Sequence, residues 1–378
     1  MSEAQPVART LPKRDLWLLP LIAFLTLILM AGGSELAARL VWPEHEVTPC
    51  LHTNTSGDVV AIPHCVSHVK TAEGPWLTNL YNECGLRATG PCQGFDPRNT
   101  RIVVLGSSTS WGYMVPFEQV WSTRLAQRLS RRCGGTPVDV QAFPGFADIN
   151  GNARRIDAAL QLRPDMIIMV ITPLDLESIS ARGFVPPRPG QMVAKVEDKP
   201  ESFIGWLRNA VSESRAAKIA EHFLYRNPNT YVPAFLTNGD KADFLRTPLS
   251  HRWRQRVQAV DDGLHYFQAH LRGVPMMILF APQQAQAQLI SEDQMHVANV
   301  DPTALPRALS QVAHENGVLF ADASDQFEQI NAAEDMFYNA DGHLNGAGHD
   351  LLARAAEDTI HSAYGQRALC PTTTDVGP

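Results

Sequence analysis

The sequence predicts an α/β protein: a parallel sheet wrapped by helices and tied to a membrane through its N-terminus. Three observations carry this. Short apolar runs at 101–105 (RIVVL) and 165–172 (DMIIMVIT) suit strands that are covered on both faces. Stretches with apolar residues at helical spacing separate these runs, and such alternation implies right-handed crossovers between parallel strands. Residues 16–33, LWLLPLIAFLTLILMAGG, contain no charge and are about as long as a bilayer-spanning helix must be.

From the N-terminus, residues 1–15 read as a cytoplasmic tail, because Arg9, Lys13 and Arg14 precede the apolar stretch and basic flanks stay in the cytoplasm. Residues 16–33 then form a single-pass transmembrane anchor. The rest of the chain lies outside the inner membrane, in a periplasm or an extracellular space. Two other readings share this pattern. A cleaved signal peptide has the same charges, with Ala31 and Gly33 as small residues for a peptidase. A buried core helix is equally apolar, and Pro20 is compatible with all three.

The chain has 378 residues, 44% of them hydrophobic and 19% charged, a globular balance rather than a disordered one. Its net charge of −7 and its lack of basic runs leave no footprint for nucleic acid. The six cysteines (Cys50, Cys65, Cys84, Cys92, Cys133 and Cys370) include no C-x-x-C pair, which argues against a zinc ribbon or a redox motif. His64-Cys65 with His68 is only a weak imitation of a metal cluster. An even count in an exported chain reads as up to three disulfides. Connectivity stays open, with Cys84 and Cys92 closing the shortest loop.

Residues 34–100 are rich in Pro, Gly, Asn and Cys without sustained periodicity, so they read as an irregular stalk and lead-in. The domain proper spans 101–365. After RIVVL comes a loop of small residues, then EQVWSTRLAQRLSRR, whose Val120, Leu125 and Leu129 fall near helical spacing. VDVQAF is the next strand, NGNARRIDAALQL a helix, and DMIIMVIT a strand bounded by Pro164 and Pro173. The rhythm breaks over about 178–250, a proline-containing insertion or cap with an amphipathic helix in 203–223. It returns with a helix over 251–272, the strand PMMILF, a helix near 303–315, the strand GVLFADA and a last helix over 346–363. Residues 366–378 read as a tail.

Three clusters of chemistry-bearing residues fall where strands end. Gly106-Ser107-Ser108 follows the first strand, Gly145 follows the second, and Asp341-x-His343 precedes the last helix. A serine needs a histidine to remove its proton, and the histidine needs a carboxylate to fix its tautomer. Glycine turns offer backbone N–H groups to a developing oxyanion. Ser107, Thr109 and Ser110 read as turn residues, His349 as a capping or core residue, and Trp111 and Trp206 as buried or sugar-stacking.

These residues carry a resemblance. VLGSSTSWGYMVPFEQVWSTRLAQRL resembles the first block of the SGNH/GDSL hydrolases, FPGFADIN their second, PDMIIMVITPLDLE their third and DGHLNGAGHDLLA their last. The resemblance covers roughly residues 100–363. It implies a three-layer α/β/α flavodoxin-like sandwich and ester hydrolysis without metal or organic cofactor. Ser108 would be the nucleophile, His343 the general base and Asp341 its orienting carboxylate. The N–H groups of Ser108 and Gly145 would form the oxyanion hole. Two positions depart from the family. Ser107 stands where the first-block Asp is usual, and Leu174 stands where the third-block Asn donates to the oxyanion. Asn150, Asn152 or Thr172 is then a candidate substitute donor, and Asp175 a candidate substrate contact. With export, the resemblance implies an esterase acting on O-acyl, chiefly acetyl, groups of a polysaccharide or other glycan. An O-acyltransferase using the same triad and an inactive glycan-binding or assembly protein are the alternatives.

Overall fold

The computed structural model describes residues 12, 14–187, 213–291, 297–365 and 369–370. Trp206 and the first half of the helix expected over 203–223 lie outside them. The chain divides into two compact units, residues 1–43 with 201–220, and residues 44–200 with 221–378.

In the first unit the apolar stretch forms helix α1 (Asp15–Val41), longer at its C-terminal end than residues 16–33. Its mean hydropathy of 2.2 and its length make it capable of crossing a membrane. Beyond the apolar part, the Glu35 carboxylate accepts the Ser214 hydroxyl and the N–H groups of Arg215 and Ala216. It thereby satisfies donors that a helix start leaves open.

The second unit corrects the expectation of an irregular lead-in. Strands β1 (His45–Val47), β2 (Leu51–Thr53), β3 (Val59–Ala61), β4 (Val66–Lys70) and β5 (Trp76–Leu80) form two small antiparallel sheets, ordered β1-β4-β5 and β2-β3. Polar and apolar residues mix on both their faces, as where β5 buries Leu77 and Asn79 and exposes Trp76 and Leu80. Cys50–Cys65 and Cys84–Cys92 are bridged in this segment, and Cys133–Cys370 ties the domain to its C-terminal end.

The main sheet contains β6 (Arg87–Ala88), β7 (Thr100–Leu105), β8 (Val138–Ala142), β9 (Met166–Ile171), β10 (Met276–Phe280) and β11 (Leu319–Asp322), in the order β11-β10-β9-β7-β8-β6. The five from β7 to β11 are parallel. The edge strand β6 is antiparallel to β8, so the sheet is mixed rather than purely parallel.

The helices of this unit are α2 (Ser108–Trp111), α3 (Trp121–Arg132), α4 (Ile149–Gln161), α5 (Pro173–Ser178), α6 (Arg215–Tyr225, shared with the first unit), α7 (Pro228–Leu236), α8 (His251–His270), α9 (Gln284–Ser291), α10 (Ala304–Glu315) and α11 (Gly346–Tyr364). Alternate strand residues face opposite ways. Ile102, Val104 and Ile168 pack with Leu125 of α3 and Leu352 of α11. Val103, Leu105 and Ile167 pack with Ile156 of α4, Leu264 of α8 and Leu309 of α10. Both faces are covered, which is why the strands read as unbroken apolar runs. The helix after β7 lies on one face and the helix after β8 on the other. The chain therefore reverses its winding between β7 and β9, and a crevice opens at their carboxyl ends.

Candidate active site

Strand β7 delivers Ser108 to that crevice. The turn depends on Gly106, which has φ +140°; a Cβ there would lie 2.8 Å from Ser110 Cβ and 2.9 Å from the Val170 carbonyl oxygen. Ser108 is the buried first residue of α2. Its Oγ lies 2.7 Å from His343 Nε2, and the opposite ring nitrogen, Nδ1, meets Asp341 Oδ1. A carboxylate only accepts, so Nδ1 carries the proton and Nε2 is left to accept from the serine. Tyr113 packs its ring edge-on against the imidazole, 5.3 Å between centroids. A hydroxyl, an imidazole and a carboxylate in this order can transfer the serine proton and stabilise the resulting imidazolium.

Two charged residues of the lead-in brace this arrangement, and sequence reading missed both. Arg87 of β6 is buried and donates to the carbonyls of Trp111, Gly112 and Val115, at 2.9, 2.6 and 2.9 Å. It satisfies the open end of α2, and burial lowers its guanidinium to about 10. Glu73 lies in the loop between β4 and β5. Its carboxylate accepts the N–H of Ala340 (3.0 Å) and of Asp341 (2.8 Å) and pairs with His222 Nδ1 at 2.6 Å. One prop thus holds the serine segment and the other holds the Asp341–His343 segment. Neither sits in a motif, and a single Arg or Glu in an aperiodic stretch gives no sequence signal.

The expected oxyanion groups divide. Gly145 adopts φ +108°, and a Cβ would meet the Val59 carbonyl oxygen at 2.6 Å. Trp111 donates its indole N–H to the Gly145 carbonyl at 3.1 Å, which fastens this turn to α2. Trp111 is therefore a buried brace. The three proposed substitute donors are occupied elsewhere. The Asn150 amide donates to Asp148 Oδ2 and to the Gly183 carbonyl, each at 3.4 Å, while its oxygen accepts the Val185 N–H at 2.7 Å. The Asn152 amide is buried and donates to the Ala147 carbonyl at 3.2 Å. The Thr172 hydroxyl donates to Asp175 Oδ2 at 2.9 Å. Asp175, partly exposed, spends its carboxylate on a capping box with Thr172 at the start of α5. Burial raises its carboxyl to about 6 while hydrogen bonds from Ser107 and Thr172 pull it down.

Ser108, His343 and Asp341 open into a cleft of about 200 Å³. Leu174, Tyr231, Phe235, Thr172, Gln283 and Gln284 also line it. Leu174 is half exposed there, where a donor was expected. His349 lies apart from the cleft, buried in α11. Its Nδ1 accepts the Trp121 N–H at the start of α3, at 3.2 Å.

No family model matches the chain, and no curated protein is similar to it. Among solved structures, TesA is similar at 14% identity and a TM-score of 0.38, over 70% of this chain and 99% of its own. An acetyl xylan esterase is similar at 12% identity and a TM-score of 0.38, over 70% and 99%. A lipolytic protein of the G-D-S-L family from Desulfitobacterium hafniense is similar at 13% identity and a TM-score of 0.32, over 69% and 100%. At such distances any chemistry must be argued from the site itself.

Proposed function

We propose that this chain is a serine esterase of the SGNH type that cleaves O-acyl, chiefly acetyl, esters of an extracytoplasmic glycan. The observation that carries this reading is the 2.7 Å contact between Ser108 Oγ and His343 Nε2, with Asp341 on the far side of the ring. Ser108 attacks the ester carbonyl carbon as His343 takes its proton, and the carbonyl π electrons move onto oxygen. Collapse expels the alcohol, which receives the proton from His343. Water then attacks the acyl-serine by the same route in reverse and releases the acid. The N–H groups of Ser108 and Gly145 are the backbone donors to the oxyanion.

A cleft of about 200 Å³ is smaller than the roughly 300–1,000 Å³ of sites that swallow a whole drug-sized ligand. That favours a short acyl group, with the sugar chain lying across the mouth. Helix α1 supports a membrane anchor, and the basic residues before it support an outward-facing domain. Three disulfides suit that oxidising side. A sugar hydroxyl in place of water would make the same intermediate an O-acyl donor. Leu174 favours the inactive glycan-binding reading.

The test is hydrolysis of p-nitrophenyl acetate by the full chain in detergent, with labelling by a fluorophosphonate. Ser108→Ala and His343→Gln should each lower kcat by about 10⁴-fold or more, and Ser108→Ala should abolish labelling. Absence of both hydrolysis and labelling in the unaltered protein would leave the binding role standing instead.

A further inference from the structure

The turn after β9 brings no side-chain donor to the site, because Leu174 occupies that place, and Asn150, Asn152 and Thr172 are all engaged elsewhere. The segment after the neighbouring strand brings a carboxamide to the same cleft. Strands β9 and β10 are parallel, with Phe280 level with Ile171, and the Ala281 N–H still donates to the Ile171 carbonyl at 3.0 Å. Past this point both chains leave the sheet, β9 into α5 and β10 toward α9, and Leu174 and Gln283 line the same cleft. Gln283 lines the cleft that holds Ser108 and His343. Its backbone is fixed, since its carbonyl accepts the Ala287 N–H at 2.9 Å as α9 begins. Its Oε1 is buried and has no hydrogen-bond partner among the described residues. The next glutamine differs: Gln284 donates to Asn339 Oδ1 at 2.7 Å and to the Tyr225 carbonyl at 3.1 Å.

We infer that Gln283 is the third oxyanion donor, a catalytic residue that replaces, from the segment between β10 and α9, the carboxamide missing at Leu174. This deepens the esterase reading and rests on it. When the Ser108 Oγ–carbon bond forms and the carbonyl π pair becomes an oxyanion, the Gln283 amide N–H donates to that oxygen alongside the N–H groups of Ser108 and Gly145. When the leaving alcohol departs, the electron pair returns to the carbonyl and the donor keeps its proton. An amide that makes no hydrogen bond within the described residues breaks none when it meets the new charge, so its donation is gained in the transition state alone.

The experiment measures kcat and KM for p-nitrophenyl acetate with the full chain in detergent. Loss of one oxyanion donor costs about 10²–10³-fold in kcat, so Gln283→Ala should fall by that much while KM stays within about threefold. Its melting temperature should not change, because no internal hydrogen bond is lost. Leu174→Asn placed in the Gln283→Ala background should restore at least about tenfold, by returning a donor to the neighbouring turn. A rate for Gln283→Ala within threefold of the parent, while Ser108→Ala is inactive, would overturn the role of Gln283 and leave the triad intact. A double variant no faster than Gln283→Ala would overturn the claim that positions 174 and 283 serve one oxygen. Equal rates for the parent and Ser108→Ala would overturn the esterase reading, and this inference with it.

Discussion

Glu73 is the residue whose role can be separated most cleanly from simple stability. Its carboxylate is almost wholly buried yet touches neither Ser108 nor the His343 ring. It acts through the Ala340 and Asp341 amides and so is a positioning residue. Removing it frees the segment that sets the imidazole, and a displacement of about 1 Å in a reacting group can cost about 10²-fold. Glu73→Ala should therefore lower kcat by about that factor and leave KM for a small ester nearly unchanged. Glu73→Gln keeps one oxygen acceptor and should recover part of the loss. A purely structural role would instead lower the amount of folded enzyme, seen as equal loss in active-site titre and total rate. The serine-histidine-carboxylate arrangement was legible from two short stretches because its residue types are few and ordered. The props were not, because a buried ion that binds backbone can come from any loop.

At the scale of elements, α11 and α3 are joined by a histidine that must stay neutral. Burial lowers His349 to about 3, helped by the nearby positive charges of Arg87 and Arg124, and its Nδ1 caps α3. Between pH 6.5 and 3 the unfolded chain holds this proton and the folded chain does not. Stability therefore falls as pH drops through that window, at about 1.4 kcal/mol per pH unit from this group. Asp175 and Asp322 act oppositely. Burial raises each to about 6, and the stability tied to their protonated forms is lost as pH rises toward that value. Both titrate alike in His349→Gln, whose amide oxygen can still cap α3. Urea unfolding followed from pH 7 to pH 4 should show a shallower acid-side loss in the variant than in the parent. The parallel strands and their helices were readable because long apolar runs and helical spacing report burial directly. The small sheets before β7 were hidden because their hydropathy does not follow their burial: β5 buries Leu77 and Asn79 and exposes Trp76 and Leu80. Helix α7 carries an internal proline, Pro233, and so escaped a propensity reading as well.

For the molecule as a whole, Cys133–Cys370 closes a loop with a sequence separation of 237. It ties the end of α3 to the chain beyond α11, and the Thr100 hydroxyl at the start of β7 donates to the Leu369 carbonyl beside it. Cross-links over long loops restrict the unfolded chain most, and loss of such a bridge typically costs about 2–5 kcal/mol. Cys133→Ser with Cys370→Ser should lower the unfolding free energy by that amount in denaturant titration. The site is remote from this bridge, so kcat below the new melting temperature should be unchanged.

The boundary that sequence suggests, near residue 100, would keep every parallel strand and every member of the triad. It would discard Glu73 and Arg87, the latter inside the loop that Cys84–Cys92 closes. A polypeptide trimmed there inherits the reactive groups without the scaffolding that aims them. What looks like a tether is a working part of the proposed site.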